Sequence, residues 1–324
     1  MTSLKALMGL LAAGAALLVS NGAAAQAHPF PNKPLRIVVP FTAGSGSDSD
    51  SRFYGELLSK RLGQAVIVEN RPGGSGLVAV QSVKSAPADG YSIMLASNSP
   101  MSVNPAIMRN LSYDPFKEFK PLVGASVGPA AFVIKGDSPY RTMQELVAAA
   151  KREKRPIAVG NYSAGYQLVA AWLGTAGNVE INHINYKGGS QAATDVIGGQ
   201  LEMAIVDPSA FIDMHKSGRV RVLAATGAKR LDVLPEVPTM IESGYADFET
   251  YVWSSFFVRS ETPDDITNLL IKNLAEVMAL PESAAYRKQR SGTLLDLKGD
   301  DMGKFQRREY ERFKRVAEAA GLVQ

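Results

Sequence analysis

A chain of 324 residues with 46% apolar and 20% charged residues is long enough for two average domains and has the composition of a globular protein, not of a disordered one. It contains no cysteine, which excludes disulfides, thiolate metal sites and a lipidated N-terminal cysteine, and His28, His183 and His215 are too scattered for a histidine cluster; no metal and no cofactor is assigned. The formal charge of +4 is spread along the chain without a long basic run, so nucleic acid is not an expected partner.

Residues 1–27 read as a secretory signal peptide. Lys5 precedes a small and apolar run from Ala6 to Val19, and both Ala23-Ala24-Ala25 and Ala25-Gln26-Ala27 offer small-X-small cleavage sites. At about 14 residues the run falls short of the roughly 20 that a membrane span needs. The expected location is periplasmic, with cleavage near Ala25 to Ala27.

The rest alternates strands and helices. Leu35 to Phe41 (LRIVVPF) is a β-branched run, followed by the glycine loop Thr42 to Ser47 and a helical pattern through Phe53, Leu57, Leu58 and Leu62. A second unit follows as strand Ala65 to Glu69, loop Asn70 to Gly76 and a helix from Leu77, and then strand Ser92 to Ala96. After a helix over 142–151, a second set begins. It reads as strand Ile157 to Gly160, loop Asn161 to Gly165 and a helix through Trp172, then strand Ile181 to Tyr186, loop Lys187 to Gly189 and helix Gln191 to Ile197. Strand Leu201 to Val206, loop Asp207-Pro208-Ser209 and strand Val220 to Ala225 complete it. Ala131 to Ile134 and Thr250 to Val258 are extended apolar runs suited to carry the chain between two lobes, and helices near 264–280 and 303–320 return to the first. The pattern predicts an α/β protein of two lobes, each a mostly parallel sheet flanked by helices, joined by two crossover strands. The expected bounds are 28–135 with 248–324 for lobe 1, and 136–247 for lobe 2.

Open α/β sheets bind ligands at the carboxyl ends of their strands, so the loops facing a cleft between the lobes are the candidate site. The loop GSGSD lacks the third glycine of a dinucleotide fingerprint, and no loop ends in the GK[ST] of a phosphate-cradling P-loop. Small residues at helix N-termini suit a carboxylate held by backbone N–H groups and hydroxyls. Asp48 fits a helix cap as well as a ligand contact, and Asp207 fits a cap or turn as well. Tyr162 and Tyr166 flank a Ser-Ala-Gly turn, a placement that suits stacking on a planar solute and ordinary loop packing alike. Lys187 is either a solvated loop lysine or a group that steers an anion. No nucleophile elbow or histidine-paired nucleophile points to catalysis.

Several segments together resemble the periplasmic solute receptors of tripartite tricarboxylate transporters over essentially the whole mature chain. They are PNKPLRIVVPFTAGSGSD with Arg52, Glu69 to Gly76, Asp89-Gly90-Tyr91, Tyr186 to Gly189, Asp195, Gly198-Gly199-Gln200, Leu234 to Thr239, Glu242-Ser243-Gly244 and Thr262-Pro263. The resemblance implies a two-lobed periplasmic binding protein, a clamshell that closes on a carboxylated solute and delivers it to a membrane permease. Residue by residue it implies ligand contacts from Thr42, Gly44, Ser45, Ser47 and Asp48, with Phe41 before them, and from Ser97 and Ser99. Across the cleft it implies Ser163, Lys187, Gly188, Gly189 and Asp207, joined by Tyr162 and Tyr166 from the residue reading. The chain departs from the family where paired glycines are replaced by GSGSD and where Asn161 to Gln167 lacks the usual Gly-Ser and His; tyrosines in that altered region favour an aromatic carboxylate, with aliphatic di- and tricarboxylates next. The expected partners are a small carboxylate and, transiently, a permease, with the protein itself a monomer and not an enzyme. A ligand-dependent sensor subunit for a membrane signalling partner and a secreted hydrolase are the alternatives.

Overall fold

The computed structural model describes residues 30–207, 211–290 and 292–323. The expected signal peptide lies outside the described residues, as do Pro208 and Ser209. Lys33–Gln324 forms one unit, to which everything below refers.

The first sheet starts with β1 (Leu35–Val39), whose residues are almost all buried because neighbouring strands flank it and helices cover the sheet. Helix α1 (Gly46–Leu62) follows, then β2 (Val66–Asn70), α2 (Leu77–Lys84) and β3 (Ser92–Ser97). A π-helical turn, Ser99–Val103, and two short helical turns lead to β4 (Phe119–Pro129), and β5 (Ala131–Lys135) comes directly after it. The second set is α3 (Met143–Glu153), β6 (Ile157–Asn161), α4 (Ala164–Gly177), β7 (Ile181–Asn185), α5 (Gly189–Ile197), β8 (Met203–Val206) and β9 (Val220–Ala225). The chain closes with β10 (Tyr251–Arg259), α6 (Asp264–Met278), α7 (Pro281–Gln289) and α8 (Gly299–Ala319).

The two sheets share one plan. Their orders are β2-β1-β3-β10-β4 and β7-β6-β8-β5-β9. β1 pairs in parallel with β2 and β3, and β6 with β7 and β8, while β10 and β5 run antiparallel to both of their neighbours. Each lobe thus receives the strand entering from the other lobe and inserts it, reversed, into the interior of its own sheet. The expected extended runs are these two strands, but β5 belongs to the second sheet, so the chain crosses at Ala130 and not after Lys135. Strand β4 and helix α7 are additions to the sequence-based elements.

Thr226 ties the two crossings together. Its hydroxyl accepts the Ala130 N–H at 2.9 Å and donates to the Thr250 carbonyl at 2.7 Å, while its own N–H and carbonyl pair with the Ala130 carbonyl and the Thr250 N–H. The residue is fully buried. A buried backbone group left without a partner costs about 1–3 kcal/mol. Thr226→Val, which keeps the shape and removes the hydroxyl, should lower unfolding free energy in urea by about 2 kcal/mol or more, and Thr226→Ser should stay close to the parent. Equal stability of the two variants would mean the hydroxyl is not what holds the crossings.

Candidate functional site

The carboxyl ends of the parallel strands in both sheets face one cavity of about 790 Å³, a volume that includes its open mouth. From the first lobe come Phe41, the N-terminal turns of α1 (Ser45, Gly46, Ser47, Asp50), Ser97 at the end of β3, and Ser126 to Pro129 at the end of β4. Because β10 runs antiparallel, its start lies at the same edge and adds Val252, Trp253 and Ser254; α7 and the residues after it add Tyr286, Arg287, Arg290 and Gly292. The second lobe contributes Tyr162, Ser163, Tyr166 and Asp207.

Two helix N-termini open into this space. Ser45 caps α1 by accepting the Asp48 N–H at 3.2 Å, and Ser163 caps α4 by accepting the Tyr166 N–H at 3.5 Å. First-turn N–H groups and the positive ends of helix dipoles make helix N-termini favourable for a carboxylate. Gly44, with φ +82, lies in the left-handed region that glycine adopts without a Cβ penalty, and there its N–H reaches Asp48 Oδ2 at 2.9 Å. Asp48 also accepts from Asn70 at 2.9 Å and pairs with Arg52 at 2.9 Å. Burial opposes ionisation of Asp48, yet the Arg52, Gly44 and Asn70 hydrogen bonds bring its pKa below the usual carboxylate value. Asp48 therefore organises the loop from behind and does not line the cavity.

Several expected residues are likewise placed beside the cavity without lining it. Ser99 Oγ accepts the Gly165 N–H at 3.0 Å, a bond from lobe to lobe. Thr42 abuts Gly188, where an added Cβ would lie 1.9 Å from Thr42 Oγ1, and Gly189 packs on the Tyr162 ring. Gly44 and Lys187 are exposed. Of the expected residues, the cavity gathers Phe41, Ser45, Ser47, Ser97, Tyr162, Ser163, Tyr166 and Asp207.

The tyrosines are buried, and Tyr162 meets the edge of Phe41 from the opposite lobe with ring centroids 5.5 Å apart. Tyr162 donates to Asp207 Oδ2 at 2.8 Å and lies 3.3 Å, hydroxyl to hydroxyl, from Tyr166. Burial, then the Asp207 charge, raises both phenol pKa values well above their usual level, so these hydroxyls act as neutral donors.

Sequence reasoning missed the floor of the cavity. Asp50 is buried and accepts the Tyr286 hydroxyl at 3.0 Å on Oδ1 and the Ser126 hydroxyl at 3.4 Å on Oδ2, with Arg290 Nε 3.8 Å from Oδ1. Tyr286 itself is stacked on Phe53 at 4.0 Å. Asp50 follows Gly46 by one helical turn, so its position on the cleft face of α1 was available from spacing alone. Its partners on α7, more than two hundred residues away, were not.

Two α/β lobes facing each other across a cavity at their strand ends define a solute-binding protein of the two-lobed type. Residues 51–322 match the tripartite tricarboxylate transporter family receptor, TctC, and the chain belongs to that family. A UPF0065 protein of Bordetella bronchiseptica is 32% identical over 306 residues, spanning 94% of this chain and 91% of that one. The structure of periplasmic binding protein BugD superposes with a TM-score of 0.86 at 29% identity, covering 91% of this chain and 99% of that one. Rpa4515 of R. palustris, solved with adipate, gives 0.86 at 27% identity over 90% and 98%. The family is one of receptors, and none of the described helices is long and apolar enough to cross a membrane.

Proposed function

We propose that this protein is a periplasmic receptor that captures one small carboxylate per chain between its lobes and delivers it to a tripartite tricarboxylate-type membrane transporter. It binds its solute without transforming it. The observation that carries the reading is the convergence of two serine-capped helix N-termini, at Ser45 and Ser163, from opposite lobes into one cavity. Adipate on the related Rpa4515 supports a carboxylate as the solute class. The aromatic wall of Phe41, Tyr162, Trp253 and Tyr286 is compatible with either a planar or an aliphatic body. The lobes turn about Ala130 and Thr250, and the leader directs export before it is cleaved within Ala25 to His28.

Titration calorimetry with adipate and a panel of aromatic and aliphatic carboxylates tests this reading. At least one should bind with a stoichiometry of one. Ser47→Ala removes a cavity hydroxyl beside the α1 N-terminus, and a lost hydrogen bond to a charged group costs about 1.5–3 kcal/mol, roughly ten- to a hundredfold in affinity. Lys187 is exposed and outside the lining. Its removal should cost about 1 kcal/mol or less. Binding lost with Lys187→Ala and kept with Ser47→Ala would move the anion out of this cavity.

A further inference from the structure

We propose that helix α8 latches the two lobes against each other, so that the closed arrangement is held in part by residues that touch no solute. Phe313 on α8 and Leu168 on α4 carry the latch as positioning residues.

The two helices are anchored in different lobes. On α8, Phe305 meets Trp253 of the first sheet edge to face with ring centroids 5.6 Å apart, and Gln306 donates from Nε2 to the Met101 carbonyl at 2.8 Å. Helix α4 follows β6 and belongs to the second sheet's lobe. Yet Ala164 and Leu168 of α4 share one buried apolar cluster with Val103, Ile107, Phe313 and Ala317 of the first lobe. None of these six lines the solute cavity. The seam is flanked at the cleft by the bond from Gly165 N–H to Ser99 Oγ. At the crossing it is flanked by Arg312, whose Nη2 donates to Thr250 Oγ1 at 3.4 Å and to Glu309 at 2.9 Å.

The seam is also less completely packed than a domain core. A cavity of about 290 Å³, its mouth included, lies between Leu168, Val169 and Trp172 on α4 and Arg312, Phe313 and Val316 on α8, beside Thr250. Interiors of single domains leave few such voids, whereas two surfaces that part and meet again leave them readily. Turning the lobes about Ala130 and Thr250 moves α4 relative to α8, and the apolar cluster between them is then exposed to water. That exposure is unfavourable in proportion to the apolar area uncovered, so the cluster favours the closed arrangement whether or not a solute is present. Solute affinity then depends on Leu168 and Phe313 at a distance, because apparent affinity scales with the fraction of competent protein.

The test needs no solute. Helices α1 and α5 start on opposite sides of the cleft, where a Cβ at Gly44 would lie 3.7 Å from Ser190 Oγ. The chain has no cysteine, so Glu56→Cys on α1 and Gln191→Cys on α5, both at exposed positions, carry one spin label each. Double electron–electron resonance on the full mature chain then reads the separation of the lobes. The labelled parent should show a population at the short separation of the closed structure. Leu168→Ala and Phe313→Ala, each checked to melt cooperatively, should each lower the ratio of closed to open molecules at least about tenfold. Combining them should lower it by less than the product of the single effects, because either truncation alone already breaks the contact. Should Phe313→Ala fail to fold, Phe313→Leu takes its place with a smaller shift in the same direction. A solute-free parent with no closed population overturns the proposal. So do variants that melt lower but keep the parental distances, since Leu168 and Phe313 would then be core of the fold alone. Fully multiplicative effects would place the two residues in separate packings and overturn the latch as a single contact.

Discussion

Replacing Gly188 with valine is expected to weaken solute capture by about a hundredfold or more while leaving both lobes folded. Gly188 precedes α5 with φ −167 and ψ 158, extended backbone that any residue adopts, so valine introduces no strain within its own lobe. The conflict lies across the cleft. A Cβ at this position would sit 1.9 Å from Thr42 Oγ1 and 3.1 Å from Thr42 Cβ, well inside van der Waals contact, and the side chain would hold the lobes apart. If the lobes meet in only about 1% of molecules, apparent affinity falls about a hundredfold, because binding is reduced by the fraction of competent protein. Calorimetry gives the affinity, circular dichroism the fold, and small-angle scattering the separation of the lobes. Thr42→Gly added to Gly188→Val should restore part of the binding by removing the opposing side chain. Parental affinity and parental scattering from Gly188→Val alone would show that the contact yields without opening the cleft.

That contact also shows what a single sequence conveys and what it does not. Loops following β1, β6 and β7 were legible because their signals are local: a β-branched strand, small residues, then a helical stripe. Gly188 could be placed on such a loop, but its partner Thr42 could not, since nothing local links two loops on different lobes. Strand β4 was missed because FKPLVGASVGP contains Pro121, Gly124 and Gly128, which read as breakers. It is a strand nonetheless, paired with β10 through register shifts, and glycine at 124 is required where a Cβ would lie 2.3 Å from the Leu295 carbonyl oxygen. Helix α7 was missed for the opposite reason. PESAAYRKQ buries only Ser283 and therefore shows no apolar stripe, yet it delivers Tyr286 to the cavity floor. Lys187 was legible as a loop residue, and the fold exposes it to solvent.

Asp50 supplies the second large effect, on stability. Burial, opposed by Arg290 and the Tyr286 hydrogen bond and assisted by the Asp207 charge, pushes its pKa up from 3.8 to about 6. The folded protein therefore holds this proton more tightly than the unfolded chain does. For an acid with a raised folded pKa, the contribution to stability is full below about pH 4, declines as pH rises toward 6, and is lost above it. A shift of about two units at 1.36 kcal/mol each amounts to a destabilisation on the order of 2–3 kcal/mol at neutral pH. Asp50→Asn keeps the shape and has no proton to lose. The variant should match the parent in urea unfolding near pH 4 and exceed it by on the order of 2–3 kcal/mol at pH 8, the gap opening between those limits. Comparing parent and variant at each pH cancels the other titrating groups to first order. A gap that does not change with pH, or a variant less stable than the parent at pH 8, would refute burial as the cause.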